Sequence, residues 1–203
     1  TMKAMHIDDV LDRAHVVSLP LAVRFRGITT REALLIEGPA GWGEFAPFLE
    51  YGPAESAAWL RAGLEAAYEG FPEPVRDSIE VNATIPAVSA SEVPAVVERY
   101  PGCRTFKIKV AEKGHTLADD AARVRAVRDA VTQRGDIPIL RVDANGGWTV
   151  DEAVEAAQMM MPLDYMEQPC ATTEELAQVR GRLMRAGLFV RVAADESIRK
   201  VAD

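Results

Sequence analysis

From about residue 80 the chain alternates short apolar runs with longer amphipathic ones, and this period constrains its fold more than any other feature. Such alternation is the pattern of strand-helix units around a parallel sheet. Strands are expected at 81–85, 105–110, 137–142, 163–166 and 188–194, with helices between them. One helix over 117–131 sets Val124, Val127 and Val131 on a single face and Arg123, Arg125 and Arg128 largely elsewhere. Another, over 150–161, has Thr149 in position to cap it. About five parallel strands fit either part of a closed barrel, which takes about 250 residues in full, or an open doubly wound sheet. The first 80 residues read differently, as short strands at 16–20 and 33–36, a helix over 56–69 and a turn-rich break at 70–74. The expected organisation is therefore α/β, with one domain over 1–80 and a second over 81–203.

Three of the strands end in a carboxylate: Asp143, Glu167 and Asp195, separated by 24 and 28 residues, about one strand-helix unit each. Neighbouring parallel strands would present these acids at the same end of the sheet, where sites form in such folds. Three converging carboxylates repel one another unless a cation neutralises them, and oxygen-only donors favour Mg²⁺ over zinc. The competing reading is that each acid caps a following helix and stays solvated. On the strand before them, Lys107 and Lys109 share one face while Phe106, Ile108 and Val110 share the other. Isolated lysines in that pattern blunt an exposed edge. Beside three acids and a metal, one of them becomes a candidate base for removing a proton α to a carboxylate, the metal stabilising the enediolate. Arg141, on the face of Asp143, either pairs with a substrate carboxylate or braces the metal ligands. Asn145 either contacts ligand or forms the turn with Gly146 and Gly147, and Glu196 and Ser197 either support the site or start a helix.

Other function classes fit poorly. With 23 Lys and Arg against 31 Asp and Glu, the net charge of −8 disfavours nucleic acid and acidic lipid as partners. No run reaches the roughly 20 apolar residues of a membrane span, and Asp8, Asp9, Asp12 and Arg13 fall where a signal peptide would be apolar. Two cysteines, Cys103 and Cys170, match neither a metal knuckle nor a disulfide framework, so a cytoplasmic location is expected. Phosphate-binding and serine-hydrolase motifs are missing from the sequence, His6, His15 and His115 stand apart from the acids, Gly41-Trp42-Gly43 reads as a turn, and Met159, Met160 and Met161 read as packing.

In this order and spacing, Lys107-x-Lys109, Asp143-Ala144-Asn145, Glu167-Gln168-Pro169 and Asp195-Glu196-Ser197 resemble the enolase superfamily, in its muconate-lactonizing-enzyme subgroup. The segments 23–31, 41–45, 141–148 and 165–172 resemble a dehydratase branch of that subgroup. The resemblance implies an α+β capping domain followed by a (β/α) barrel, of which this sequence ends after about the fifth strand. The sequence is thus expected to belong to a longer protein, whose sixth barrel strand carries a second catalytic lysine. It also implies Mg²⁺, for which Mn²⁺ can substitute, held by Asp143, Glu167 and Asp195. The partner would be a small-molecule carboxylate, and the reaction a lyase step of menaquinone biosynthesis, dehydration of 2-succinyl-6-hydroxy-2,4-cyclohexadiene-1-carboxylate. Lys109 would remove the α-proton and then help hydroxide leave, with Lys107 supporting the enediolate. Loops near 24–31, including Arg26 and Thr29, and near 41–48 would close over the substrate. Racemisation of N-acylamino acids and epimerisation of dipeptides are the alternatives within the superfamily; an inactive barrel fragment or metabolite-binding protein is the alternative outside it.

Overall fold

The computed structural model describes residues 6–25 and 28–201. The chain forms two compact units, Thr1–Asp77 and Ser78–Asp203. In the first, the short helix α1 (Ile7–Leu11) precedes three antiparallel strands in the order β1 (Ala14–Phe25), β2 (Ile28–Gly38), β3 (Gly41–Phe45), and α2 (Pro53–Tyr68) packs on them. α2 starts at Pro53, three residues ahead of the expected 56, because proline at the first helical position loses no hydrogen bond and presets φ. Contact between α2 and the sheet is close enough to require glycine: a Cβ on Gly43 would lie 1.9 Å from the Gly63 carbonyl oxygen. Val10, Ile36 and Ala67 form the buried centre, with Leu34, Leu60, Leu64 and Tyr68 around them.

The second unit runs β4 (Ala83–Ile85), α3 (Val93–Val97), β5 (Thr105–Lys109), α4 (Leu117–Gln133), β6 (Ile139–Asp143), α5 (Val150–Met160), β7 (Tyr165–Glu167), α6 (Thr173–Arg185), β8 (Arg191–Ala193). All five strands are parallel and lie side by side in sequence order. A doubly wound sheet reverses direction at a switch point, whereas a barrel adds each strand on the same side. The monotonic order therefore decides for barrel-type winding. Several apolar runs begin before the paired strands do, and Val81, Ile137 and Phe189 are exposed ahead of β4, β6 and β8.

Three helices of this unit begin with the same device. Thr116, Thr149 and Thr172 each accept from the backbone N–H three residues on, and Asp119, Glu152 and Glu175 reach back to the threonine N–H. Behind these caps, Val124, Val127 and Val131 of α4 pack with Phe106, Ile108, Val142 and Met166 in the core between helices and sheet. Met160 is buried there, in keeping with a packing role. Arg123, expected off the valine face, is itself only 1% exposed. It is tolerated inside because Asp120 and main-chain carbonyls answer its donors.

Candidate active site

Strand register decides which charged groups meet. β5, β6 and β7 align Lys107 with Arg141 and Tyr165, and Lys109 with Asp143 and Glu167. Since alternate side chains share a face, these form two layers on the side away from the helices. In the layer nearer the strand carboxyl ends, Lys109 Nζ donates to Asp143 Oδ2 at 2.6 Å and to Asn145 Oδ1 at 2.7 Å. Lys107 reaches up from the layer below, its Nζ 2.7 Å from Glu167 Oε1 and 3.2 Å from Asp143 Oδ2. The Asp143 side chain is 1% exposed. Burial pushes its carboxyl pKa up, but the hydrogen bond and charge of Lys109, the charge of Lys107 and the Asn145 N–H outweigh this and leave it below the usual range. Burial likewise pulls Lys107 down, and the bonds and charges of Glu167 and Asp143 overcome it, so its ammonium is held above its ordinary pKa.

Asn145 adopts a left-handed backbone at φ 46°, so it makes the turn and also contacts the cluster. Its N–H donates to Asp143 Oδ1 at 3.1 Å, and its Nδ2 donates to Glu196 Oε1 at 2.6 Å. Glu196 Oε2 is buried without a hydrogen-bond partner among the described residues, an uncommon state for a carboxylate oxygen. No helix starts at Glu196 or Ser197. Asp195 is exposed, and among the described residues no three acid, histidine or cysteine side chains converge closely enough to hold a metal ion together. Asp143 and Glu167 are thus brought together while Asp195 stands off. Arg141 is placed away from these acids: it donates to Asp164 Oδ2 at 2.9 Å and to Asn82 Oδ1 at 2.8 Å, and lies over the Tyr165 ring. Thr29 is exposed on β2, and Arg26 lies outside the described residues.

Donor chemistry nevertheless suits a hard dication. Asp143 and Glu167 offer only oxygen, and the Lys107 ammonium already spans them, so the pair stabilises positive charge at that point.

Sequence reasoning missed Gln168. It is fully buried with φ 36°; its Oε1 accepts from the N–H groups of Asp195 and Ser197 and from Ser197 Oγ, and its Nε2 donates to the Cys170 carbonyl. One side chain directly after Glu167 thereby fixes the loop that carries Asp195. Its position beside a strand-end acid was visible, but a glutamine reads as solvated until the fold buries it.

Parallel strands added in one direction, with lysines and carboxylates at their carboxyl ends, define a barrel-type α/β protein with its charged chemistry where barrels build sites. The chain belongs to the Enolase C-terminal domain-like family, whose profile matches residues 89–203, and the Enolase N-terminal domain-like profile matches residues 16–67. Its fold is accordingly the capping domain and part of the barrel of the enolase superfamily. Over 200 residues it is 59% identical to o-succinylbenzoate synthase of Mycolicibacterium smegmatis, covering 97% of this chain and 59% of that protein. The enzyme of the same name from Mycobacterium leprae is 58% identical over 200 residues, covering 97% and 57%. The chain thus spans less than two thirds of the length of these relatives. Among solved structures, a substrate-liganded L-Ala-D/L-Glu epimerase from Bacillus subtilis superposes with TM-score 0.66 at 26% identity, over 91% of this chain and 67% of that one.

Proposed function

We propose that the protein is an o-succinylbenzoate synthase, a dehydratase of menaquinone biosynthesis acting in the cytoplasm, with residues 1–80 as its capping domain and 81–203 as barrel. The observation that carries the reading is the Lys107, Lys109, Asp143 and Glu167 cluster at one sheet end, in a chain 59% identical to a synthase of that name. The free thiols of Cys103 and Cys170 suit a reducing compartment.

Asp143 and Glu167 would hold Mg²⁺ or Mn²⁺, with Asp195 as the third ligand on the family resemblance. The ion when bound supplies positive charge against which a substrate carboxylate can gain electron density. Lys109 Nζ removes the proton from the carbon α to that carboxylate. The C–H electron pair moves into the ring as the C–O bond to the hydroxyl breaks, and Lys109 returns its proton so that water leaves and the ring becomes aromatic. Asp143 and Asn145 orient the Lys109 amine by direct hydrogen bonds. Lys107 keeps a fixed positive charge beside the reacting carboxylate. Glu196 sets the Asn145 amide through its Oε1. Arg141 braces the lower layer by stacking on Tyr165, whose hydroxyl lies 3.4 Å from Glu167 Oε2. On the family resemblance, Arg26 and Thr29 are the candidates for substrate specificity. Epimerase chemistry ranks second, since the epimerase likeness rests on 26% identity.

The test is dehydration by the full-length protein with Mg²⁺ and with EDTA, and by Lys109→Ala. EDTA should stop turnover, and Lys109→Ala should lower it by about 10²–10⁴-fold while Mg²⁺ affinity by calorimetry is kept. Turnover near wild type in Lys109→Ala removes that lysine as the base, and activity indifferent to EDTA removes the metal.

A further inference from the structure

The Asp120 and Arg123 side chains are each 1% exposed and form an ion pair at 2.6 Å, one turn apart on α4. Their remaining bonds converge on one short stretch. Arg123 Nη1 donates to the carbonyl of Lys109 at 3.0 Å, and Asp120 Oδ2 accepts from the N–H of Ala111 at 2.8 Å. Between these anchors, the Val110 N–H donates to the Asp143 carbonyl at 3.0 Å. Arg123 also donates through Nε to the Val88 carbonyl and meets His115 Nδ1 at 2.7 Å. Ala111 holds φ at 59°, a left-handed conformation that alanine adopts only when its surroundings impose it. The Ala111 N–H donates to Asp120 Oδ2 in that conformation.

A buried ion pair is weak evidence for stability, because apolar groups of the same volume often replace it without loss. Its placement here is more telling, since both partners grip the main chain at the end of β5, on either side of the point where the strand turns away from Lys109. Arg134, at the other end of α4, makes a comparable set of bonds to the carbonyls of Val97, Tyr100 and Cys103, ahead of β5 rather than at the strand end where the main chain leaves Lys109.

We propose that Asp120 and Arg123 are positioning residues for Lys109: they hold the backbone of residues 109–111 so that Nζ stays on the line of proton transfer. The proposal rests on Lys109 being the base, and neither residue touches substrate. Should the turn at Ala111 relax, Lys109 would shift with it, and misplacement by about 1 Å can cost about 10²-fold in rate.

In the full-length protein with saturating Mg²⁺, Asp120→Asn and Arg123→Met are each expected to lower kcat about 10–100-fold while KM and the Mg²⁺ Kd stay within about threefold. Arg134→Met serves as the control, losing thermal stability but keeping kcat within about threefold. The proposal is overturned if Asp120→Asn keeps wild-type kcat, or if kcat falls in proportion to Tm across all three variants. Where Arg123→Met fails to fold, Asp120→Asn decides alone. Lys109→Ala separates the two ideas: wild-type turnover there removes the base, whereas lost turnover there beside an unimpaired Asp120→Asn removes only the positioning role.

Discussion

Replacing Gln168 by Met tests how the loop after β8 is held. The two side chains are close in volume, so the change leaves no large cavity and removes mainly the amide. Fully buried Gln168 makes one bond to the carbonyl of Cys170 at 2.9 Å and accepts three, from Asp195 N at 2.7 Å, Ser197 N at 3.3 Å and Ser197 Oγ at 3.1 Å. Cys170 is itself fully buried, so its carbonyl loses this partner with little access to water, at about 1–3 kcal/mol. Asp195 is exposed and Ser197 partly so, and water replaces much of what their donors lose, at about 0.5–1 kcal/mol each. The expected destabilisation is therefore roughly 2.5–6 kcal/mol, read from urea unfolding of the full-length protein as the change in midpoint multiplied by the slope. Ser197→Ala removes one of the three donors and should cost under about 1 kcal/mol. Because the loop carries Asp195, Gln168→Met should also weaken Mg²⁺ binding in calorimetry. The reasoning is refuted if Gln168→Met lies within about 0.5 kcal/mol of wild type, or if Ser197→Ala costs as much as Gln168→Met.

Two further outcomes follow from the charges. At the start of α5 the N–H of Thr149, then its hydroxyl, lower the pKa of Glu152 against a small opposing effect of burial; a folded pKa below the unfolded one adds stability above about pH 4.3, lost as pH falls through the folded value. Glu152→Gln should thus cost up to about 0.5–1 kcal/mol at pH 7, screened by solvent, and progressively less as pH falls through the folded pKa; a cost independent of pH refutes the contribution of the carboxylate charge to the cap. Lys107→Met leaves Asp143 and Glu167 without the ammonium that spans them. The metal-free protein should lose roughly 1–3 kcal/mol and gain more in Tm from saturating Mg²⁺ than wild type does; equal gains would show that Lys107 and the ion do not share one place.

Much of the fold was legible in the sequence because its signals are local. Strand-helix alternation placed β4 to β8, the period of α4 placed Val124, Val127 and Val131 in the core, and Thr149 marked a helix start. Alternation along β5 put Lys107 and Lys109 on one face, and the spacing of Asp143 and Glu167 put acids at successive strand ends. These features follow from periods of 2 and 3.6 residues and from caps spanning three, all determined by chain geometry over a few positions. Which groups then meet is a matter of register between strands and of what must be desolvated, and both are non-local. Only the tertiary structure set the monotonic strand order, paired Lys107 with Glu167, turned Arg141 to Asp164, and left Asp195 beyond the last paired residues of β8. Arg123 and Gln168 make the same point from inside the core. A long polar side chain reads as surface in any sequence, and it becomes interior only where distant segments supply partners for every donor and acceptor that burial takes from water.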